Sequence, residues 1–128
     1  ELLQHLAVHP NVTEDILEKL AESFDYKVKM FVAKNSKTSS QALETMFHTT
    51  KHNLISAYAV TSAICANPNT PIAILQQLTE MFLSESMNIH FGSLLSNPSL
   101  PNNLRGKLIS YLLDLSKEED DITIGSKS

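Results

Sequence analysis

The residues best suited to chemistry are two histidine pairs, His5 with His9 and His48 with His52, each four residues apart. On one helix this spacing places two imidazoles on the same face, where they can share a zinc ion. Zinc also needs a third and usually a fourth ligand, and no acidic residue lies directly beside either pair. His9 falls at a predicted helix end, where we expect its ring to cap carbonyl groups. We therefore expect no metal site and no cofactor.

The nucleophilic residues also lack the partners that an enzyme needs. Cys65 occupies a small, apolar sequence position, where we expect an inert buried thiol. Ser93 follows Gly92 but lacks the second glycine of a nucleophile elbow. Glu14 and Asp15 stand at a predicted helix start, where they complement the helix dipole. The three glycines of the chain form no phosphate-binding pattern, so we expect no enzyme.

Charge is distributed unevenly along the chain. Residues 27–51 carry five lysines against one acid, whereas residues 52–104 carry only Glu80 and Glu85. The charge-poor stretch fits either helices buried on both sides or a neutral surface that docks another protein. The basic stretch gives a candidate partner surface, formed by Tyr26, Lys27, Lys29, Lys34, Lys37 and Lys51.

A motif of eight residues recurs four times and organises these candidates. It reads LAVHPNVT at 6–13, VAKNSKTS at 32–39, ICANPNTP at 64–71 and LLSNPSLP at 94–101. Three copies hold a proline that ends the incoming helix, because the residue before proline is disfavoured in the α region. Each copy closes on a hydroxyl residue or a proline, which are the residues that favour a helix start. The motif therefore predicts a break between two helices.

Apolar residues on both sides of the motif recur at matching positions. After the break, one column holds Ile16, Ala42, Ile74 and Leu104, and the column four residues later holds Leu20, Met46, Leu78 and Leu108. This spacing gives each helix one apolar stripe. A single helix pair cannot bury such a stripe alone, so the pairs must stack.

The sequence predicts an all-α fold of eight helices, at residues 1–8, 13–23, 26–34, 39–48, 53–66, 71–83, 86–96 and 101–115. Segment 53–66 contains β-branched residues that are typical of a strand, but its length and its small residues favour a tightly packed helix. We expect a right-handed α–α superhelix of about four helix-pair repeats over residues 1–115. Residues 116–128 are predicted to form an acidic, disordered tail.

The motif resembles the leucine-rich repeat variant family, whose units read approximately Leu-Ala-x-Asn-Pro-Asn-Thr-Pro before a Leu-rich helix. The copy at 64–71, followed by Ile74, Leu75 and Leu78, is the best match, and the copy at 6–13 is also good. The resemblance covers roughly residues 2–112. Family units are shorter and pair an α-helix with a 3₁₀ helix, so the longer spacing here suggests HEAT-like or armadillo-like α–α pairs. The resemblance implies a solenoid that binds macromolecules, and it transfers no catalytic residue.

Composition limits the remaining function classes. The chain has 128 residues, a net charge of −4 and one cysteine. It has no apolar run long enough to span a membrane, so we expect no membrane partner. A single cysteine cannot form an internal disulfide, which fits the cytoplasm. We expect a non-catalytic protein-binding scaffold; the alternative is nucleic-acid binding by the Lys27–Lys51 cluster, which the low pI of about 5.7 disfavours.

Overall fold

The fold was analysed in a computed structural model that describes residues 2–53 and 57–127. The described residues contain α-helices, one 3₁₀ helix and no strand, which confirms the all-α prediction. The α-helices are α1 (Leu2–Val8), α2 (Glu14–Leu20), α3 (Tyr26–Lys34), α4 (Ser40–Thr50), α5 (Tyr58–Ala66), α6 (Ile72–Glu85), α7 (Phe91–Ser96) and α8 (Asn102–Lys127).

Helices α2, α4 and α6 start at the breaks that the motif predicts. Thr13 and Ser39 cap α2 and α4, since their side-chain oxygens accept the backbone N–H groups of Ile16 and Ala42. Pro71 occupies the N-cap position of α6. At a helix start, Thr13 and Ser39 bind N–H groups that lack an intrahelical partner, and Pro71 has no N–H group of its own. Residues at the helix start therefore determine where these three helices begin.

Several predicted helix boundaries differ from the structure, and the largest differences are in α5, α7 and α8. The helix predicted at 53–66 begins at Tyr58; residues 54–56 lie outside the described part of the chain. In place of one helix over 86–96, a 3₁₀ turn at Asn88–His90 precedes α7. Ser86 explains this difference, because its left-handed backbone (φ 56°) ends α6 and redirects the chain.

Helix α8 runs on to Lys127, beyond the end at residue 115 that the apolar spacing predicts. The stretch 107–124 has no proline or glycine to stop it. Its side chains from Ser116 to Glu118 are exposed, so packing does not support the helix there. Isolated helical segments are marginal in water. The disorder of residues 116–128 in solution stays a prediction.

Helices α1, α3, α5 and α7 contact one another in succession and form one row. The other helices flank this row, with α2 against α4 and α6 against α8. One apolar core runs between the two sets, and its largest fully buried side chains include Phe47, Phe82 and Phe91. Both predicted apolar columns face this core; Ile16 is half-buried and packs against it, and the other members are buried in it.

Candidate functional site

The asparagines of the motif, Asn35, Asn67 and Asn97, hold each turn together. In each turn the side-chain oxygen accepts the backbone N–H of the residue two positions later, over 2.8 to 2.9 Å. This geometry is an Asx turn, which replaces the backbone bonds lost where the helix ends. The turn therefore favours asparagine, because its short side chain carries both a hydrogen-bond acceptor and a hydrogen-bond donor.

The amide nitrogens of the same asparagines link consecutive copies of the motif. Asn35 Nδ2 donates to the carbonyl of Ala7 at 2.9 Å, and Asn67 Nδ2 donates to that of Ala33 at 2.8 Å. Asn97 Nδ2 donates to the carbonyls of both Cys65 and Asn67, each at 2.8 Å. We call Asn35, Asn67 and Asn97 the asparagine ladder. The ladder satisfies carbonyls that the ends of α1, α3 and α5 leave without intrahelical partners.

Different residues stand at the two ends of this ladder. His9 takes the asparagine position in the first copy, and its Nδ1 accepts the Asn11 N–H at 3.0 Å. We expected the His9 ring to cap carbonyl groups, whereas the hydrogen bond that the structure describes accepts a backbone N–H. Beyond the last copy, Arg105 donates to the carbonyls of Leu95 (2.7 Å) and Asn97 (3.1 Å). The guanidinium thus donates to the two carbonyls to which a further asparagine of the series would donate.

A groove of about 490 Å³ crosses the row of α3, α5 and α7. Its floor is formed by small residues of α5 at successive turns, Ala59, Ser62, Ala63 and Ala66. Small side chains at this spacing leave a channel along the helix surface. A shallower depression of about 330 Å³ lies between α1 and α3 and is lined by Ala7, Val8, Phe31, Lys34 and Asn35. Both depressions therefore open on the same row of helices.

Lys34 lines both depressions and is exposed. It is the single charged side chain among the described residues that line the larger groove. The rim of that groove also carries Met30, Tyr58 and Ser93. A mainly apolar channel with one cation and several hydroxyl groups suits a peptide segment that presents an aliphatic side chain and a carboxylate.

Ser62 connects the groove to a buried histidine. Ser62 Oγ lies 2.9 Å from Nδ1 of His90, whose ring stacks on Phe82 with the centroids 4.8 Å apart. His90 is fully buried, and burial lowers its pKa. Its Nε2 has no hydrogen-bond partner among the residues that the structure describes. His90 stands outside both histidine pairs, so nothing in the sequence singled it out.

The predicted basic surface is only partly available to a partner. Lys29 is 5% exposed, and its Nζ donates to Thr49 Oγ1 at 3.2 Å and lies 5.8 Å from the centre of the Tyr26 ring. Burial lowers the pKa of Lys29. Lys37 is exposed, but its Nζ donates to the carbonyl of Pro10 at 2.7 Å. The ammonium groups of Lys29 and Lys37 are thus engaged in hydrogen bonds within the fold.

The remaining members of the predicted surface are spread over several elements. Tyr26 and Lys27 start α3, Lys34 ends it, and Lys51 follows α4. Tyr26, Lys27 and Lys34 are exposed, and Lys51 is half-buried. Of this set, the structure brings only Lys34 to a groove.

In the described residues, the histidine pairs and the cysteine are not placed together with the further side chains that a metal or catalytic site needs. His48 Nε2 lies 3.6 Å from Glu44 Oε1 on the exposed side of α4, and His5 and His52 are exposed. No three metal-ligating side chains converge within the described part of the chain. Cys65 is fully buried, as its column predicts, and burial raises the pKa of its thiol.

The sequence analysis missed two features of the candidate site, the floor of the groove and Arg105, although each leaves a signal in the sequence. The floor of the groove appears as small residues recurring every three or four positions in α5. Arg105 occupies the column that Leu17, Leu43 and Leu75 fill in the other copies, and an arginine in a leucine column marks an altered environment.

Comparison with protein-family models, with curated proteins and with solved structures finds no match for this chain. No described helix is long and apolar enough to cross a membrane.

Proposed function

We propose that this chain is a non-catalytic protein-binding module. In this proposal its helix pairs form a right-handed α–α solenoid of about four units, of the leucine-rich repeat variant or HEAT-like kind. The recurring motif, the successive contacts within the row of α1, α3, α5 and α7, and the asparagine ladder support this architecture. Solenoids of this kind work through extended surfaces.

The observation that carries the proposal is the groove across α3, α5 and α7. Its small-residue floor accepts an aliphatic side chain, and Lys34 lies at its edge as a partner for a carboxylate. We propose that it binds a segment of another protein with an aliphatic residue next to Asp or Glu. A cytoplasmic setting belongs to this proposal, because the single thiol, Cys65, is buried and cannot form an internal disulfide.

Selection of peptides from a random displayed library on the immobilised chain tests this function. We expect enriched peptides that combine an aliphatic residue with a neighbouring acid. Ala66 is exposed at the floor of the groove, so Ala66→Arg should abolish binding without disturbing the core. The matched control is Ala73→Arg, since Ala73 is equally an exposed helical alanine but lies on α6.

The charge at the groove is tested separately. Lys34→Glu should reverse the preference of the selected peptides from acidic to basic residues, whereas Lys27→Glu, at the start of α3, should leave it unchanged. Peptides that bind the Ala66→Arg variant as well as the wild type would show that the groove is not the site.

Nucleic-acid binding by the lysine cluster is the competing hypothesis. It loses support because Lys29 is buried and Lys37 is bonded to the Pro10 carbonyl. Fluorescence anisotropy with labelled DNA and RNA, at about 50 mM and about 200 mM salt, separates the two functions. Binding that weakens steeply with salt, and that is lost in Lys27→Glu, would favour the nucleic-acid hypothesis.

A further inference from the structure

The hydroxyl group of Ser62 has a single hydrogen-bond partner among the described residues, and that partner is a histidine. Its Oγ lies 2.9 Å from Nδ1 of His90. Thr61, the neighbour of Ser62 on α5, instead donates its hydroxyl hydrogen to the carbonyl of Ala57, four residues earlier, at 3.0 Å. The structure gives Ser62 no corresponding bond to the carbonyl of Tyr58. The direction of its bond to His90 therefore decides where its hydroxyl hydrogen points.

The surroundings of the His90 ring set that direction. Burial lowers the pKa of His90, so the ring is neutral at neutral pH and carries one N–H group, on Nδ1 or on Nε2. Nε2 is buried and has no hydrogen-bond partner in the part of the chain that the structure describes. A hydrogen on Nε2 would be a buried donor without an acceptor, which folded proteins rarely tolerate. The hydrogen-bond network thus assigns the hydrogen to Nδ1, which donates it to Ser62 Oγ.

This assignment leaves the hydroxyl hydrogen of Ser62 for the groove. Ser62 lines the groove and is half-buried, so a ligand there can reach its O–H group. It precedes Ala66 by four residues on α5, which is about 6 Å along the helix. Ala66 has the same position in its copy of the motif as Lys34 has in the preceding copy. The groove thus presents a neutral donor about one helical turn from the position of its cation.

We infer that His90 orients the hydroxyl group of Ser62 as a hydrogen-bond donor, and that Ser62 binds a main-chain carbonyl of the segment in the groove. The second part rests on the proposed function, because the occupant is the same segment whose carboxylate pairs with Lys34. An extended segment advances about 3.3 Å per residue, so the bound carbonyl lies about two residues from the acid. Ser62 thereby fixes the register of the segment, and His90 is a positioning residue behind it.

The position of the imidazole hydrogen can be measured on the full chain without a ligand. Long-range proton–nitrogen correlation spectra at about pH 7 distinguish a protonated ring nitrogen from an unprotonated one, and His90→Leu identifies the signals of His90. We expect Nδ1 to be protonated and Nε2 to be unprotonated. The opposite assignment would make Ser62 the donor to His90, and it would overturn the inference whether or not the groove binds peptides.

The contact with the segment is measured on a peptide selected for the groove. Ser62→Ala should weaken its binding about tenfold, as expected for one lost hydrogen bond. The matched control is Ser93→Ala, which removes a half-buried hydroxyl group from α7 at the same groove and should change the affinity less than about twofold. Peptide carbonyls are also replaced one at a time by thiocarbonyls, which are weaker acceptors. One replacement, about two residues from the acid, should weaken binding to the wild type but not to Ser62→Ala.

The outcomes separate this inference from the proposed function. A folded Ser62→Ala variant that binds the peptide as tightly as the wild type would overturn the inference and leave the groove as the binding site. Circular dichroism verifies the fold, and if Ser62→Ala misfolds, the thiocarbonyl series on the wild type decides, since a series without a sensitive carbonyl near the acid contradicts the inference. Peptides that bind Ala66→Arg as well as the wild type would instead overturn the proposed function, and with it the occupant.

Discussion

The side-chain nitrogen of Asn97 lies 2.8 Å from the carbonyl oxygen of Cys65, a residue thirty-two positions earlier in the chain. Both residues are fully buried. The same nitrogen also reaches the carbonyl of Asn67, while the side-chain oxygen accepts the Ser99 N–H. One amide group thus closes its own turn and joins that turn to the preceding copy.

Replacing this amide should be strongly destabilising. In Asn97→Ala, the carbonyls of Cys65 and Asn67 and the Ser99 N–H lose their partner, and we expect a loss of about 2–4 kcal/mol in the free energy of unfolding. Urea denaturation followed by circular dichroism measures this change. Asn103→Ala, in an exposed part of α8, is the matched control and should change stability by less than about 0.5 kcal/mol.

A second substitution at Asn97 separates its acceptor from its donor. Asn97→Asp keeps the oxygen that accepts the Ser99 N–H but directs a carboxylate at two carbonyl oxygens. We expect it to unfold at least as easily as Asn97→Ala at neutral pH. An Asp variant as stable as the wild type would show that the bonds between copies contribute little to stability.

Burial of His90 should make stability depend on pH on the acidic side. Its pKa is lowered in the folded state, so the unfolded chain binds a proton first as the pH falls. Stability should therefore decrease as the pH drops below about 6.5, the ordinary histidine pKa. His90→Leu should flatten this part of the profile, whereas His5→Gln, at an exposed site, should not.

The readout for His90 is the midpoint of urea denaturation at several pH values between about 7 and 5. A profile for His90→Leu that runs parallel to the wild type would exclude His90 as the source of the dependence. The neighbours that the structure gives His90 are Ser62, Tyr58 and Phe82, none of which is a carboxylic acid or a second histidine.

Lys29 should make stability change with pH in the same direction, but at alkaline pH. Burial lowers its pKa, so between the folded value and the unfolded value of about 10.5 the unfolded chain binds the extra proton. The wild type should gain stability relative to Lys29→Met as the pH rises toward that value. Thermal denaturation of the two proteins at pH values from about 7 to 10 tests this expectation. An unchanged difference across the range would mean that Lys29 keeps its ordinary pKa.

Hydrogen exchange should distinguish the two halves of α8. Leu104 and Leu108 are buried in the core, so amides in that part of the helix should exchange slowly. Residues from Ser116 onward should exchange as fast as an unstructured peptide, because the exposed side chains of Ser116 to Glu118 give the helix no support where it leaves the core. Deleting residues 117–128 should leave the melting temperature unchanged. Slow exchange throughout 116–127 would contradict the predicted disorder.

The starts of α2, α4 and α6 could be predicted from the sequence because their signals are local. Thr13 and Ser39 cap α2 and α4 through their own side chains, and Pro71 precedes α6 for the same local reason. Burial also followed from periodicity, since every member of the column of Leu20, Met46, Leu78 and Leu108 lies in the core.

The candidate site was less predictable because it depends on contacts between distant residues. The lysines of α3 look alike in sequence, yet Lys29 is buried beside Thr49 and Lys34 lies at the groove. Which face of the helix packs on a neighbour decides this difference, and one sequence does not specify it. His90 was missed for the same reason, because its environment comes from α5 and α6.

The amide nitrogens of the ladder donate only to main-chain oxygens of the preceding copy. Cys65 has a different side chain from Ala7 and Ala33 but supplies the same acceptor. The bond between copies therefore places no demand on the side chain of the residue that receives it. Neighbouring units can diverge in sequence, or be exchanged in protein engineering, as long as the donor asparagine and the shape of the turn are kept.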